Sequence, residues 1–318
     1  MCADQRRGGI AWTDFSVNPI RARLNGKVGH HCVKVSPGCT NCYASKMQPR
    51  FGLPPYEVGK RVAVEPFFDG RPLREVLRRR KPARYFWCDM TDLFGEWVPD
   101  EWIDQCFAAM ALTPQHTHQC LTKRPERMRD YMRAARFAEI NAAARAIAGE
   151  TDGAVLPTQR DGMVAGGWPL PCVWLGVSVE DQQRADERIP LLLQTPAAVR
   201  FVSYEPALAP IDARRWMTPT VNTDGTTTPA LSWLIAGGES GPNARACDVA
   251  WIRDIVRQCQ AAGMPVFVKQ LGTNVTDSGA CDPTWAGPDG KRRDRKGADP
   301  SEWPRDLRIR QYPGTLNW

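Results

Sequence analysis

Three cysteines lie within eleven residues near the start of the chain: Cys32, Cys39 and Cys42. Six residues separate the first two, two residues separate the last two, and no fourth cysteine lies nearby. Three thiolates on one loop can bind three irons of a [4Fe–4S] cluster, which leaves the fourth iron open to a small molecule. The spacing therefore suggests chemistry at an open metal position.

The residues alone leave the identity of the metal open. His30 or His31 would complete a tetrahedral Cys3His zinc site. Three unliganded thiols are a third interpretation. A structural zinc needs no further polar groups around it, so the polar residues elsewhere in the chain bear on the choice.

Length and composition restrict the class of protein. The chain has 318 residues and 42% hydrophobic content, which is enough for one large domain with a full core. No apolar run approaches the roughly 20 residues of a membrane helix, and the first residues lack the apolar stretch of a signal peptide. Several of the eleven cysteines stand in apolar stretches, as is typical of proteins in a reducing compartment. We expect a cytoplasmic protein without a membrane segment.

Much of the net charge of +7 lies in two stretches. Such stretches are typical either of phosphate-binding surfaces or of solvated helix faces and loops, and the sequence leaves both open. The first contains Arg71, Arg74, Arg78, Arg79, Arg80, Lys81 and Arg84, with Glu75; the second contains Lys291, Arg292, Arg293, Arg295 and Lys296.

Short apolar runs alternate with amphipathic stretches along the chain, which predicts a parallel sheet. Up to eight such units favour a β/α (TIM-like) barrel, full or partial, with a doubly wound open sheet as the alternative. The predicted strands are 9–13, 61–64, 84–88, 117–121, 173–178, 199–203, 232–236 and 265–268. The predicted helices are 43–51, 72–80, 99–112, 125–137, 181–194 and 248–262. The barrel is expected over 1–272, with loop insertions near 151–171 and 213–230. An irregular C-terminal extension over 273–318 is expected to pack on the barrel through Trp303 and Leu307.

The predicted strands end in polar residues. In a β/α barrel the active site lies at the C-terminal ends of the strands, so these residues predict one functional site. The residues are Asp89 and Thr91 after the third strand, Lys123 and Arg124 after the fourth, Ser178 at the end of the fifth with Glu180 after it, Glu205 after the sixth, Glu239 after the seventh and Lys269 after the eighth. The cysteine loop is predicted to follow the first strand.

Several segments together carry a resemblance to known proteins. They are Ile10–Asp14, Lys34–Ala44, Asp89–Phe94, Leu121–Glu126, Trp174–Glu180, Phe201–Pro206, Gly237–Gly241 and Lys269–Gln270. The layout resembles the radical S-adenosylmethionine (radical SAM) superfamily, in which a three-cysteine loop follows the first strand of a β/α barrel. It is more closely similar to the phage Gp37/Gp68 family of three-Cys-motif proteins. The superfamily usually has three residues in the first cysteine gap, whereas this chain has six.

The resemblance implies two cofactors, a [4Fe–4S] cluster and S-adenosylmethionine. Cys32, Cys39 and Cys42 would bind the cluster. The residues expected to bind the cofactors are Tyr43, Asp89, Thr91, Lys123, Arg124, Ser178 and Glu180. The candidates for substrate contact or proton transfer are Glu205, Glu239 and Lys269.

The expected activity is hydrogen abstraction from a nucleic-acid base or nucleotide by a 5′-deoxyadenosyl radical, in modification or repair. The basic stretches favour this substrate, as does a likeness of Thr122–Arg124 to the spore photoproduct lyase branch. An electron donor is required, and a partner protein is possible. Two alternatives stay open: a zinc-stapled basic nucleic-acid-binding module without catalysis, and a metal-independent hydrolase that uses Glu205 and Glu239 as an acid–base pair.

Overall fold

A computed structural model of the chain describes residues 9–59, 63–150, 167–278 and 294–314. The strands are β1 (Phe15–Val17), β2 (Ile20–Leu24), β3 (Lys27–Gly29), β4 (Glu65–Phe68), β5 (Arg84–Trp87), β6 (Thr117–Thr122), β7 (Val173–Val179), β8 (Val199–Tyr204), β9 (Thr220–Val221), β10 (Thr227–Thr228), β11 (Trp233–Gly237), β12 (Cys247–Asp248), β13 (Val266–Gln270) and β14 (Val275–Thr276). The α-helices are α1 (Tyr43–Met47), α2 (Arg71–Arg78), α3 (Asp100–Ala111), α4 (Pro125–Arg133), α5 (Phe137–Glu150), α6 (Gln182–Leu193) and α7 (Val249–Ala261).

The main sheet confirms the prediction of a mixed α/β fold with parallel strands. Its seven strands are hydrogen-bonded in the order β1-β5-β6-β7-β8-β11-β13. The pairs β1–β5, β5–β6, β8–β11 and β11–β13 are parallel. The order has two ends, β1 and β13, so the described sheet is not a closed eight-stranded ring.

Two predicted strands were wrong, and the cysteine loop follows a different strand from the one predicted. The first strand of the sheet is Phe15–Val17 and not 9–13, because the backbone N–H of Thr13 turns back to the carbonyl of Ile10. The strand expected at 61–64, of which 61 and 62 lie outside the described residues, is found at Glu65–Phe68. It belongs to a separate antiparallel sheet in the order β3-β2-β4, and the cysteine loop follows β3 of that sheet.

A two-residue turn explains the missed hairpin of β2 and β3. Asn25 and Gly26 both have positive φ, 48° and 76°, as a type I′ hairpin turn requires. This Asn-Gly pair was a signal in the sequence.

The helices agree with the predictions except between residues 125 and 150 and at the end of the predicted helix 43–51, where α1 stops at Met47 and a 3-10 helix (Gln48–Phe51) follows. Helices α6 and α7 begin where expected, because the side chains of Asp181 and Asp248 accept from Arg184 N–H and Ala250 N–H, each at 2.9 Å. The predicted helix 125–137 instead ends at Arg133, and α5 begins after Ala135, whose φ of 48° interrupts the helical backbone.

The described residues form two compact units. The first contains those up to Leu175 together with Thr195–Ala198, and the second contains Gly176–Gln194 and those from Val199 onward. This division leaves the expected boundary near residue 272 untested. Trp303 and Leu307 are buried, as expected. Most of the expected insertion at 151–171 and three residues of the second basic stretch, Lys291, Arg292 and Arg293, lie outside the described residues.

Candidate cofactor site

The cysteine loop is a series of tight turns between β3 and α1. Cys39 ends a short 3-10 helix (Pro37–Cys39), and Cys42 is the residue before α1. The N–H of Cys39 donates to Ser36 O at 2.9 Å, and the N–H of Cys42 donates to Cys39 O at 3.3 Å. Cys39 and Cys42 therefore occupy consecutive turns of the backbone.

Cys32 and Cys42 pack against the same small cluster in the first unit. The cluster contains Ala44, Tyr56 and Met90, all buried. The Tyr56 hydroxyl donates to the Met90 carbonyl at 2.7 Å, which fixes the cluster to the segment that follows β5. The first and last cysteines of the motif thus meet one surface, although ten positions separate them in the sequence.

The backbone of Cys32 is held on both sides by side chains that follow the parallel strands. Thr91 Oγ1 donates to the carbonyl of His31, and Arg124 Nη2 donates to the carbonyl of Val33 at 3.1 Å. Thr91 lies after β5, and Arg124 lies just after β6. We call this pair of contacts the Cys32 clamp.

The guanidinium group of Arg124 is buried, and each of its three nitrogens has a partner. Nη1 binds Asp92 at 3.0 Å and Nε binds Glu96 at 3.0 Å, while the group lies 4.7 Å from the ring centroid of Trp97. Burial disfavours the charged form, but Asp92, Cys32 and Glu96 outweigh burial and raise the pKa of Arg124. A permanently charged, immobile arginine is thus placed against the loop.

Asp92 explains why Arg124 is held so firmly. Its carboxylate accepts from four donors: the Thr122 hydroxyl at 2.7 Å, the N–H of Phe94 at 3.0 Å, the N–H of Lys123 at 3.1 Å and Arg124. These four donors hold the carboxylate in one position against the guanidinium group. Asp92, Glu96 and Trp97 were not among the predicted site residues; the signal available was the position of Asp92 three residues after Asp89.

Asp89 and Tyr43 form a second link between the same segments. The Tyr43 hydroxyl donates to both the carbonyl and the carboxylate of Asp89, at 2.7 and 2.9 Å, and Asn18 Nδ2 lies 2.5 Å from the other carboxylate oxygen. Cys88, just before Asp89, has a φ of 61°, a strained value for a residue with a side chain. Asp89 and Tyr43 are thus brought together, and their contact anchors the start of α1.

The electrostatic surroundings shift the pKa values of the Cys32 and Cys39 thiols in opposite directions. Burial raises the pKa of the Cys32 thiol, and the charge of Arg124 offsets this only in part. Burial also raises that of Cys39, but Lys123 and the hydrogen bonds at Val35 and Ser36 bring the pKa below its usual value. A lowered pKa favours the thiolate, which is the metal-binding form.

Lys123 and the two histidines complete the surroundings of the loop. The ammonium group of Lys123 has no hydrogen bond or ion pair to any residue that the structure describes. His30 Nδ1 lies 3.2 Å from the Ile20 carbonyl, and the His31 ring meets the Trp97 ring edge-on at 4.8 Å. Within the described ranges, no group of three or more His, Cys, Asp or Glu side chains is arranged to hold a metal ion.

The remaining predicted residues lie in the second unit, where they form ion pairs. Glu180 is buried against Arg188 at 3.2 Å, and the same guanidinium group donates to the Ser178 carbonyl at 2.7 Å. Ser178 itself is buried. These contacts fix the start of α6.

Glu239 and Glu205 differ in how they are paired. Glu239 is buried and accepts from the Arg245 side chain at 2.6 and 3.1 Å and from its N–H at 2.9 Å. Glu205 binds Lys269 at 2.6 Å, with the two side chains 16% and 21% exposed. The structure therefore joins Glu205 and Lys269, and places Glu239 in a separate pair.

The comparisons with known proteins give one result. A family described as "Protein of unknown function (DUF5131)" matches residues 7–305, which is most of the chain. The chain belongs to the DUF5131 family. No curated protein and no solved structure matches it significantly. In the described part of this DUF5131 member, no helix is long and apolar enough to cross a membrane.

Proposed function

We propose that this protein binds a [4Fe–4S] cluster through Cys32, Cys39 and Cys42 and uses it with S-adenosylmethionine as a radical enzyme. We also propose that the parallel sheet is a partial β/α barrel of the radical SAM type, related to the phage Gp37/Gp68 proteins. One observation carries the proposal: the cysteine loop is anchored from both β5 and β6, with Cys32 clamped on both sides. A loop of free, unliganded thiols has no need of a buried guanidinium clamp.

The donor set fits such a cluster in type and number. Three thiols lie on one loop, none of them in a disulfide, and two of them contact one apolar cluster. The lowered pKa of Cys39 favours its thiolate, and the cationic Lys123 and Arg124 favour an anionic cluster, whereas burial raises the pKa of Cys32 in the metal-free chain. Because no described group of donors already surrounds one point, the proposal requires the loop to close around the metal as it binds.

When bound, the cluster and S-adenosylmethionine supply a 5′-deoxyadenosyl radical by one-electron reductive cleavage of the sulfonium, with the electron from an external donor. The protein holds and orients these groups. Lys123, whose ammonium group has no ion-pair partner among the described residues, is proposed to bind an anionic ligand group such as the methionine carboxylate. Tyr43, Asp89, Thr91 and Arg124 keep the loop in place, and Asp89 and Thr91 are the proposed residues for ribose or amino contacts.

We propose a nucleic-acid base or nucleotide as the substrate, because the chain carries concentrated positive charge. Glu205 and Lys269 are the proposed groups for substrate contact or proton transfer, since their ion pair is partly exposed. Ser178, Glu180 and Glu239 are proposed to act by supporting the second unit, because each contributes to a buried contact with an arginine.

The test is anaerobic incubation of the reconstituted, reduced protein with S-adenosylmethionine, followed by detection of 5′-deoxyadenosine. We expect product from the wild-type chain and none from a chain with Cys39→Ala and Cys42→Ala. A chain that holds an intact, reduced cluster and yields no 5′-deoxyadenosine would contradict the radical route. One tightly bound zinc per chain would favour a zinc-stapled binding module instead.

A further inference from the structure

The first basic stretch contains two kinds of cation. Some are satisfied within the fold: Arg71 binds Asp69 at 2.7 Å, Arg84 binds Asp14 at 3.1 Å, and the Arg79 guanidinium lies 4.2 Å from the ring centroid of Phe15. Others make no hydrogen bond or ion pair with the described residues, and all of these are exposed. The second group consists of Arg74, Arg78, Arg80 and Lys81, which we call the basic ridge.

Helix geometry puts the ridge on a fixed support. Leu73 and Val76 are buried and anchor α2, so Arg74 and Arg78, four residues apart, lie on one outward side of the helix. Arg80 and Lys81 continue the ridge into the loop before β5. The stacked Arg79 holds the end of the helix in place, and the ridge is thus preformed.

The charge of the ridge is only partly favourable for the helix that carries it. Arg74 stands in the first turn of α2, near the positive end of the helix dipole, whereas Arg78 stands in the last turn, where a cation is favourable. Within the stretch from 71 to 84, Glu75 is the one acidic residue, and the carboxylates that pair with the stretch bind Arg71 and Arg84, which are outside the ridge. Ion pairs among the described residues therefore do not account for the ridge, whereas an anionic partner would.

We propose that the basic ridge binds the phosphate backbone of a nucleic-acid strand. Arginine predominates, and its planar guanidinium group matches phosphate oxygens in a bidentate way. The ridge cations are exposed and have no ion-pair partner in the described part of the chain, so they are available for backbone contacts, which carry no sequence information.

The position of the ridge narrows the substrate class. The ridge precedes β5, whereas Asp89 and Thr91 follow it, and a strand of four residues covers about 13 Å. A free nucleotide is too small to bridge that distance with one phosphate group, but a strand of several nucleotides spans it. This step rests on the proposed function, and it makes the substrate a polynucleotide and not a free nucleotide.

The test uses fluorescence anisotropy of a labelled oligonucleotide of about 20 nucleotides with the full chain. Arg74→Gln with Arg78→Gln should weaken binding about tenfold and reduce the slope of log K against log salt by about 1.4. The matched control is Arg214→Gln with Arg215→Gln, which removes the same charge from exposed, ion-paired arginines and should bind like the wild type. A 5′-mononucleotide, measured in parallel, should bind the ridge variant and the wild type equally.

Thermal unfolding distinguishes the loss of a contact with the oligonucleotide from the loss of the folded structure. The ridge variant should melt at about the same temperature as the wild type, because Arg74→Gln removes an unfavourable charge from the first turn of α2 and Arg78→Gln removes a favourable one from its last turn. Equal oligonucleotide affinity of the ridge and control variants would overturn the proposal, as would binding to anionic vesicles with none to the oligonucleotide. Repeating the titration with metal-free chains separates the two proposals, because the ridge variant should bind about tenfold more weakly than the control variant whether or not a cluster has been reconstituted.

Discussion

The two units both pair carboxylates with cations near strand ends, but the pairs reach over different distances in the sequence. In the second unit, Arg188 binds Glu180 and Arg245 binds Glu239, eight and six residues away. In the first unit, Arg124 reaches Asp92 and also Val33, which is 91 residues away. The second-unit pairs stabilise their own turns, whereas the first-unit pair positions a separate loop that carries three thiols.

The strongest test of this difference between the two units is to remove each buried arginine in turn. Arg124→Ala and Arg188→Ala each leave a buried carboxylate without its cation, and each should lower the free energy of unfolding by about 3–5 kcal/mol, measured in urea. Only Arg124→Ala should also speed alkylation of Cys32 in the metal-free chain, measured by mass spectrometry.

The buried thiols Cys88 and Cys120 serve as internal controls, because they are modified only when the unit unfolds. If Arg188→Ala exposed Cys32 as much as Arg124→Ala did, the distinction between the two pairs would fail.

Histidine titration should affect the first unit, since all four histidines precede residue 119. Trp87 Nε1 donates to His118 Nδ1 at 3.1 Å, and burial lowers the pKa of His118 to about 3. Below pH 6.5, His118 therefore binds a proton in the unfolded chain, whereas in the folded chain it stays neutral until the pH approaches 3. Stability should fall by about 1.4 kcal/mol per pH unit from this residue as the pH drops from about 6.5 towards 3.

Urea unfolding at several pH values measures this slope, with His118→Gln as the comparison because an amide oxygen can still accept from Trp87. The variant should show a slope shallower by about 1.4 kcal/mol per pH unit. Equal slopes would mean that His118 does not stay neutral in the folded chain.

The Glu205–Lys269 pair should give a smaller effect than the buried pairs. Lys269→Met leaves Glu205 with Gln270 at 3.3 Å and partial solvent access, so we expect a loss of about 1–2 kcal/mol in unfolding free energy. Lys269→Arg should restore most of it. A loss as large as that of Arg188→Ala would show that the pair is structural like its neighbours and would weaken its proposed role with substrate.

The smallest expected effect comes from the other half of the Cys32 clamp. Thr91→Val removes the hydroxyl that donates to the His31 carbonyl and should cost about 1 kcal/mol, whereas Thr91→Ser should cost less. The Val variant should still increase the alkylation rate of Cys32. An unchanged rate would mean that only the Arg124 contact of the Cys32 clamp protects this thiol.

The sequence was most informative where the signals are local. Strand–helix alternation predicted six of the seven strands of the main sheet, and Asp181 and Asp248 marked helix starts through their caps. The polar residues after β5 and β6 were correctly located next to their strands. Local signals also explain some misses: the Asn25–Gly26 turn was readable but was not used.

The sequence alone did not predict the long-range contacts. Nothing near Arg124 indicates that it donates to Val33 or stacks on Trp97, because these contacts depend on how distant segments pack. Likewise, Glu180 and Glu239 resemble Glu205 as strand-end carboxylates, and only the structure shows that the first two are buried in ion pairs.

The most direct test of the central claim is the iron and acid-labile sulfide content of the chain after anaerobic reconstitution. The account predicts about four of each in the wild-type chain and in Cys259→Ala, which alters a buried thiol of α7, and almost none after Cys39→Ala with Cys42→Ala. Iron and sulfide that persist in the double variant, or their absence from the wild-type chain, would contradict it.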